Sequence, residues 1–299
     1  MSAVMTAEQG PWRRFLSQFV ESKLAMFGLV LLTLLILAAI FAPVIAPQNP
    51  YDLSKLDIMD GRMEPGTVGE ETKLTYRLGT DEQGRDMLSA MLYGLRISIG
   101  VGVVATAVAM CIGLFVGLIA GYIGGRLESF LMRVVDIQLS FPTILLALIL
   151  IAALGAGITN VVVALITVQW AYYARTARSA ALVERKKEYI EAARALGLST
   201  PRIVLRHLLP NCLPSVIVIA ALQVASAIQL EATLSFLGLG VPITEPSLGL
   251  LISNGFQYML SGRYWISVYP GVLLLVTIVA INLVADRLRD LLNPRLQTQ

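Results

Sequence analysis

Long apolar runs separated by shorter polar segments are the dominant pattern along the chain. Six runs approach or exceed the roughly 20 apolar residues that cross a bilayer as a helix. They cover residues 24–46, 97–122, 137–154, 158–174, 213–234 and 265–285. None carries a charged residue near its centre, where one would cost about 2.5–3.5 kcal/mol. The pattern therefore predicts an all-α, polytopic membrane protein with six transmembrane helices.

Glycine and proline separate the predicted helices and bend one of them. Turn-forming residues lie at Gly124–Gly125, Gly155–Gly157 and Gly238–Pro242. Pro142 lies inside the third run, where it predicts a kink because proline removes a helix hydrogen bond. The segment 47–96 is polar and rich in Gly and Pro, so we expect it outside the membrane and not as one continuous helix.

Basic residues predict how the six helices are oriented. The loop between the fourth and fifth runs holds Arg175, Arg178, Arg185, Lys186, Lys187, Arg194, Arg202 and Arg206. Because cytoplasmic loops carry an excess of Lys and Arg, we expect this loop in the cytoplasm. Counting spans from it places both termini in the cytoplasm. We divide the chain into a first span with its outer loop (1–95), a membrane domain (96–286) and a cytoplasmic tail (287–299).

The most polar stretch of the membrane half is 186–213, which predicts two short helices rather than a flexible linker. It begins with good helix formers, and Gly197 suits the left-handed position that ends a helix. Ser199 or Thr200 is suited to cap a second helix. Pro210 and Pro214 are expected to stop that helix before the fifth span.

The first of these helices has one small, apolar face. The residues at that spacing are Tyr189, Ala192, Ala193 and Leu196. On the other face, Glu191 and Arg194 are three residues apart and can pair. A small face in a tight cytoplasmic loop suits docking into a groove on another protein.

A polar segment connects the outer loop to the second span. Thr80 or Asp81 is suited to cap a short helix that begins near Gln83. Arg85 and Asp86 can pair within the structure or with a partner.

Small residues recur at every fourth position of the second span. They are Ala105, Ala109, Gly113, Gly117 and Gly121. Small residues on one helix face let backbones approach closely in a membrane. The spacing predicts tight packing against another helix, in this chain or in a partner.

Several polar residues lie within or beside the predicted spans. Glu231 lies within a turn of the outer end of the fifth span, which favours capping or pairing over ion transport. Four amides either line a path or hydrogen-bond between helices, which is the more frequent use. They are Gln169, Gln223, Gln229 and Asn282. His207 is the only histidine and cannot form a metal site alone.

Composition narrows the function classes. Charged residues make up 14% of the chain and the net charge is only +3, which argues against binding nucleic acid. Cys111 and Cys212 form neither a disulfide framework nor a metal pair. The chain has no G-x-x-x-x-G-K-[ST] loop and no catalytic constellation, so we expect neither an enzyme nor a bound cofactor or metal.

Two motifs resemble those of a known transporter family. The first is similar to the "EAA" loop of ATP-binding-cassette (ABC) importer permeases. Its matching residues are Glu191, Ala192, Ala193, Gly197, Leu209 and Pro210. His207 stands where the family pattern has Ile.

The second motif resembles the entry to the transport domain of peptide/nickel-type permeases, specifically their "C" subunit. Its matching residues are Gly79, Thr80, Asp81, Gly84, Arg85, Asp86, Gly94, Arg96 and Ser98. Ala90 stands where many members have Arg. Segments at Gly121–Asp136, Glu231–Gly240 and Asn282–Leu296 are also similar, so the resemblance runs from about Trp12 to Leu296.

The resemblance implies a type I ABC importer transmembrane domain in a bacterial cytoplasmic (inner) membrane, working by alternating access. A homologous "B" permease subunit would complete the path, and an extracytoplasmic solute-binding protein would dock outside. Two ATPase subunits would bind ATP and Mg²⁺ on the cytoplasmic side. The Gly79–Asp86 segment is expected to face the binding protein or the sister permease.

The resemblance also assigns roles within the cytoplasmic loop, which is the family's coupling helix. Ala192, Ala193 and Gly197 are expected to form the surface that contacts the ATPase. Glu191 and Arg194 are expected to brace it. The residues expected to fix the loop against the fifth span are Leu209 and Pro210.

Dipeptides and oligopeptides are the solutes that the resemblance favours, and nickel chelates or glutathione-like solutes are the alternative within the same class. Two readings from other classes stay open. A stand-alone secondary carrier would need coupling-ion sites and no ATPase. An integral membrane enzyme or scaffold would not stimulate ATP hydrolysis.

Overall fold

A computed structural model describes residues 11–292, except 53, 55, 70, 71 and 243. Within these residues the chain forms twelve α-helices and one two-stranded hairpin. The helices are α1 (Pro11–Glu21), α2 (Lys23–Ile40), α3 (Ala42–Ile45), α4 (Met87–Ile123), α5 (Gly125–Ser140), α6 (Thr143–Leu154), α7 (Ile158–Glu184), α8 (Glu188–Ala195), α9 (Thr200–Ile203), α10 (Leu209–Phe236), α11 (Leu248–Phe256) and α12 (Trp265–Leu292). The strands are β1 (Thr67–Val68) and β2 (Thr75–Tyr76).

The predicted membrane spans correspond to long helices. In the described part of the chain, four helices are long and apolar enough to cross a membrane: α2, α4, α12 and the segment Thr200–Phe236 that contains α9 and α10. The bent pair of α5 and α6 adds a fifth. The fourth predicted run corresponds to α7, whose second half is more polar. The predicted all-α membrane architecture is confirmed.

The centre of the fold is the contact between α4 and α7. Gly113, Gly117 and Gly121 of α4 face α7. A Cβ on Gly113 would collide with the carbonyl oxygen of Trp170, and one on Gly117 with that of Ala174. The close packing predicted from the small residues is therefore confirmed, and the partner helix belongs to the same chain.

The third predicted span contains a sharp break. The run 137–154 begins inside α5 and passes through Pro142 into α6. The axes of α5 and α6 differ by 92°. The kink predicted at Pro142 is confirmed, but the predicted start of the span is wrong because residues 137–140 belong to α5, which runs in another direction.

The helix that enters the fifth span is continuous, so the prediction that Pro210 and Pro214 stop it is wrong. A π-helical turn at Val204–Leu208 joins α9 to α10. In this turn the N–H of Leu209 donates to the carbonyl of Val204, five residues back. The shift places Pro210 in the first turn of α10, where a missing N–H is tolerated.

The outer segment between α3 and α4 folds into a cap, here called the outer cap (residues 46–86), although its sequence shows no periodicity. β1 pairs antiparallel with β2, with Thr67 opposite Tyr76. Buried Asp60 accepts hydrogen bonds from the hydroxyls of Tyr76 (2.9 Å) and Thr72 (3.0 Å). Burial raises the pKa of Tyr76 to about 12, so its phenol stays a donor at neutral pH.

Helix α11, like α1, has no counterpart among the predicted elements. Helix α11 is the one that contributes to the core of the membrane domain. It follows the fifth span and packs between α10 and α12. A Cβ on Gly249 would collide with the backbone of Ala232, and one on Gly255 would lie 2.5 Å from Ile266. Its nine residues are too few for a span, so the apolar pattern did not single them out.

The two ends of the described chain meet. Phe19 of α1 and Leu291 of α12 belong to one apolar cluster. The predicted tail 287–299 does not begin as a separate segment, because α12 continues to Leu292. Residues 293–299, including Arg295, lie outside the described residues.

Candidate functional site

The loop predicted to be cytoplasmic (residues 186–213, here called the cytoplasmic loop) contains α8, and Gly197 follows the C-cap of this helix, as predicted. Gly197 has a left-handed φ of +72°. Its N–H donates to the carbonyl of Arg194 (2.9 Å), and the N–H of Leu198 donates to that of Ala193 (3.2 Å). These two bonds form a Schellman motif. No described atom lies within 4 Å of a Cβ placed on Gly197, so the backbone conformation alone requires glycine.

One face of α8 packs on its own chain. Ile190 is fully buried and Ala193 is 4% exposed. Both contact Ile203 of α9, with Tyr122 of α4 and Leu198 packed around them. This cluster fixes α8 to the membrane domain beside Tyr122, at the end of α4.

The opposite face of α8 is small and exposed. Ala192 and Gly197 are exposed, and Leu196 is 80% exposed. Of the three residues assigned to the contact surface, only Ala192 and Gly197 are therefore available to a partner. The assignment of Ala193 to the contact surface is wrong, because its side chain lies in the buried cluster and packs against Ile203.

The predicted pair of Glu191 and Arg194 is replaced by another contact. The Arg194 guanidinium lies 5.0 Å from the ring centre of Tyr122, a cation–π geometry. None of the ion pairs among the described residues joins Arg194 to Glu191. Both side chains line a cleft of about 680 Å³ that Tyr122, Arg185 and Lys186 also border. The charged groups named here make the cleft positive.

The second half of the loop connects rigidly to the fifth span. Ser199 occupies the position before α9, as predicted, but its side chain makes no capping hydrogen bond. Leu209 packs beside buried Leu208 and Cys212 where the π turn meets α10. Pro210 lies in the first turn of α10. An unbroken helix thus leads from the loop into the membrane.

The outer motif forms a tight turn and not the helix predicted near Gln83. Asp81 Oδ1 accepts the N–H groups of Gln83 (2.8 Å) and Arg85 (3.0 Å). Asp81 Oδ2 pairs with the Arg85 guanidinium at 2.6 Å. Arg85 therefore pairs with Asp81, and the predicted pairing of Arg85 with Asp86 within the structure is wrong.

Asp86 caps α4 instead of Thr80 or Asp81. Its Oδ2 accepts from the N–H (2.8 Å) and the hydroxyl (2.6 Å) of Ser89. Its own N–H donates to the side-chain oxygen of Gln48 at 2.8 Å, which ties the start of the outer cap to α4. Burial raises the pKa of Asp86 above its ordinary value, and the bonds from Ser89 oppose that rise.

The remaining motif residues hold the outer cap on α12. The carbonyl of Thr80 accepts from the indole N–H of Trp265 (3.2 Å), and a Cβ on Gly79 would lie 2.8 Å from the same nitrogen. Gly84 has φ +76° and lies against the carbonyl of Asp57. Four motif residues are only 0–2% exposed: Thr80, Asp81, Arg85 and Asp86. A partner that docks on the cap therefore touches other residues.

Glu231 is fully buried between helices. Its Oε2 accepts from the hydroxyl of Ser98 on α4, and its Oε1 from that of Ser235 on α10, both at 2.8 Å. The pairing role predicted for Glu231 is therefore confirmed. The sequence signal for Ser235 was its i+4 spacing from Glu231, whereas Ser98 is distant in the chain.

Gln169 joins three helices. It is buried, accepts from the Thr106 hydroxyl (3.4 Å) and donates to the carbonyl of Gln223 (3.3 Å). The interhelical role is therefore confirmed for this amide. His207 lies in the π turn, where its carbonyl accepts from Asn211.

Two protein families match the chain. The family described as "Binding-protein-dependent transport system inner membrane component" matches residues 113–298. The family described as "N-terminal TM domain of oligopeptide transport permease C" matches residues 10–65. The first match covers the cytoplasmic loop, and the second covers the first span and about half of the outer cap.

Relatives are similar over nearly their whole length. The dipeptide transport system permease protein DppC of Escherichia coli K12 is 42% identical over 96% of this chain and 94% of the relative. The di/tripeptide transport system permease protein DppC of Pseudomonas aeruginosa is 36% identical over 96% and 93%. A putative peptide transport system permease protein of Brucella suis is 39% identical over 91% and 88%.

The fold also resembles a solved structure. A chain of the MetNI methionine ABC transporter in inward-facing conformations superposes with a TM-score of 0.56 and 25% identity. The alignment covers 69% of this chain and 97% of that chain.

Proposed function

Because the chain belongs to the family of inner membrane components of binding-protein-dependent transport systems, we propose that it forms half of a path for small peptides and is driven through its cytoplasmic loop. The observation that carries the proposal is the geometry of α8. One face is anchored through Ile190 and Ala193, and the other leaves Ala192, Leu196 and Gly197 exposed.

The anchoring supports a mechanical role for α8. Its buried face contacts Tyr122 at the end of α4, and α9 continues through the π turn into α10. A displacement of α8 by a docked ATPase therefore moves the cytoplasmic ends of two spans together. In this account ATP closes the ATPases, the spans open outward, and hydrolysis resets them.

The partners are part of the proposal. A homologous permease completes the path, and two ATPase subunits bind ATP and Mg²⁺, since this chain has no phosphate-binding loop of the Walker type. An extracytoplasmic binding protein delivers the solute. Both termini lie in the cytoplasm, in accord with the basic residues of the cytoplasmic loop. Dipeptides and oligopeptides are proposed as solutes because the relatives are named for peptide transport.

The partners are tested by affinity purification of the tagged chain from native membranes, followed by mass spectrometry and an ATPase assay. Recovery of a second permease, ATPases and a binding protein is the expected result. Assaying the recovered binding protein with dipeptides, nickel chelates and glutathione distinguishes the solute classes. A chain that elutes alone, without ATPase activity, yet supports uptake would favour a secondary carrier.

The docking face is tested by photo-crosslinking. A photoreactive amino acid at Leu196 is expected to crosslink to an ATPase subunit. The matched control is Leu260, which is fully exposed in the turn before α12, on the outer side in the proposed topology. Crosslinks from Leu260 and none from Leu196 would contradict the proposal that the exposed face of α8 docks on the ATPase.

A further inference from the structure

α10 has an exposed polar face at membrane depth. Ser226, Gln229 and Thr233 lie at helical spacing on one face, and Ser215 lies on the same face three turns earlier. Ser215, Ser226 and Gln229 are exposed, and Thr233 is half-buried. The other sides of α10 pack against α4, α7, α11 and α12.

The exposed faces of two other spans are apolar. Those of α2 include Leu24, Phe27, Val30 and Leu34. Those of α12 include Val268, Val272, Leu275 and Val279. Such apolar faces suit contact with lipid, whereas the exposed face of α10 carries polar side chains.

The side chain of Gln229 is the best indication of what this face contacts. The hydroxyl of Thr233 donates to the Gln229 carbonyl (2.8 Å) and that of Ser226 to the Leu222 carbonyl (3.4 Å), so both can face lipid at little cost. The Gln229 side-chain amide takes part in none of the hydrogen bonds found among the described residues. An amide without a partner in hydrocarbon costs several kcal/mol.

Gln229 also lies inward of the outer end of α10. It precedes Phe236, the last residue of the helix, by about 10 Å along the axis. α11 covers the segment between them: Gly249 lies against the backbone of Ala232, and the Ser253 hydroxyl donates to the Phe236 carbonyl (2.7 Å). Gln229 is therefore below the level of α11, where lipid would otherwise surround it.

We infer that this face of α10 lines the water-filled solute path and that Gln229 hydrogen-bonds the backbone of the passing peptide. The inference rests on the proposed peptide import. A side-chain amide both donates and accepts, as a peptide bond does. It therefore binds the part of the solute that all peptides share and tolerates varied side chains.

The test is labelling by a charged thiol reagent in the reconstituted importer complex, in a Cys111→Ser, Cys212→Ala background. Ser226→Cys and Gln229→Cys are expected to react at least about tenfold faster than Val272→Cys and Val279→Cys, the matched controls on the apolar face of α12. Excess dipeptide is expected to slow labelling at position 229, and labelling there is expected to block uptake.

Two results would overturn the inference. One is reactivity at 226 and 229 no higher than at the α12 controls. The other is reactivity in the purified chain that disappears in the complex, which would mean a dry contact with the second permease. Uptake by the unlabelled background complex separates the two claims: failure of dipeptide uptake there counts against the proposed function, whereas uptake without labelling counts against the inference alone.

A functional variant completes the test. Gln229→Leu is expected to raise the KM for dipeptide uptake about tenfold with the complex still assembled, and Gln229→Asn to retain part of the affinity. Unchanged KM in Gln229→Leu would remove Gln229 from contact with the solute.

Discussion

At the scale of single residues, two glycines of the outer cap share a backbone conformation but differ in their surroundings. Gly84 and Gly66 have φ of +76° and +88°. A Cβ on Gly84 would collide with the carbonyl of Asp57, whereas nothing lies within 4 Å of one on Gly66. Gly66→Ala is expected to cost about 1 kcal/mol of backbone strain. Gly84→Ala is expected to cost about 3 kcal/mol or more, because the loop at Asp57 must also move.

Thermal unfolding of the purified complex measures both glycine variants. The expected result is a clearly larger drop in melting temperature for Gly84→Ala than for Gly66→Ala. Equal drops would show that the cap accommodates a methyl group at Gly84 without moving Asp57.

Asp86 gives the outer cap a predictable response to pH. Since burial raises its pKa, the folded state holds more protons than the unfolded state from about pH 4, the ordinary aspartate pKa, up to the raised value. The stabilisation from this group is fully present below about pH 4 and is lost as the pH rises through the raised pKa. Asp86→Asn removes the titration and keeps an oxygen that can accept from Ser89.

Melting temperatures of the wild type and Asp86→Asn, taken over a pH series, test this response. The wild type is expected to lose stability relative to the variant as the pH rises from about 4. A difference that stays constant with pH would contradict the assigned burial effect.

At the scale of elements, the contact between α4 and α7 depends on missing side chains. Gly117 lies against the backbone of α7 at Ala174, so Gly117→Leu would force the helices apart. We expect this variant to lose the folded complex. Gly100 lies on the same helix with nothing within 4 Å, and Gly100→Leu is the matched control that should assemble normally. Size-exclusion chromatography of the two variants measures assembly. Normal assembly of Gly117→Leu would contradict the claim that close packing of α4 on α7 requires glycine at this position.

The sequence predicts those elements whose signal is local. Apolar length located the spans, small residues at every fourth position located the face of α4, and Gly197 located the end of α8. The outer cap has no such signal because distant polar groups hold it, as in the bond between Trp265 and Thr80. The continuous helix through Pro210 depends on a π turn, which a rule based on the missing proline N–H does not foresee.

The faces of α8 show most clearly what the sequence alone does not predict. Ala192 and Ala193 are neighbours with the same side chain, and helical spacing alone places both near one face. Which of them is buried depends on Tyr122, a residue of another helix against which α8 packs. Likewise, the hydrogen bonding of the buried Glu231 carboxylate depends on Ser98, which is far away in the chain.

At the scale of the whole molecule, two surfaces remain for partners and solute. The cytoplasmic loop presents the small face of α8, and the membrane domain exposes the polar face of α10. The loop joins α10 without a flexible joint and also contacts the end of α4. Force applied at the loop therefore reaches the helix that we place beside the solute path.

Gly197 allows this coupling to be tested without disturbing the fold. Its Cβ position is open, and Asp is among the residues that tolerate a left-handed φ, so Gly197→Asp changes the docking face and leaves the buried cluster intact. Gly238 is a matched control, with φ +76° and nothing within 4 Å, after the opposite end of α10.

The decisive measurement is ATP-driven dipeptide uptake by the reconstituted importer carrying the wild-type chain, Gly197→Asp or Gly238→Asp. Gly197→Asp is expected to assemble but to lose at least about 90% of uptake and of solute-stimulated ATP hydrolysis, a free-energy effect of about 1.4 kcal/mol or more. Gly238→Asp is expected to retain both activities. Unchanged ATP-driven uptake in Gly197→Asp would contradict the claim that the cytoplasmic loop couples the ATPases to transport.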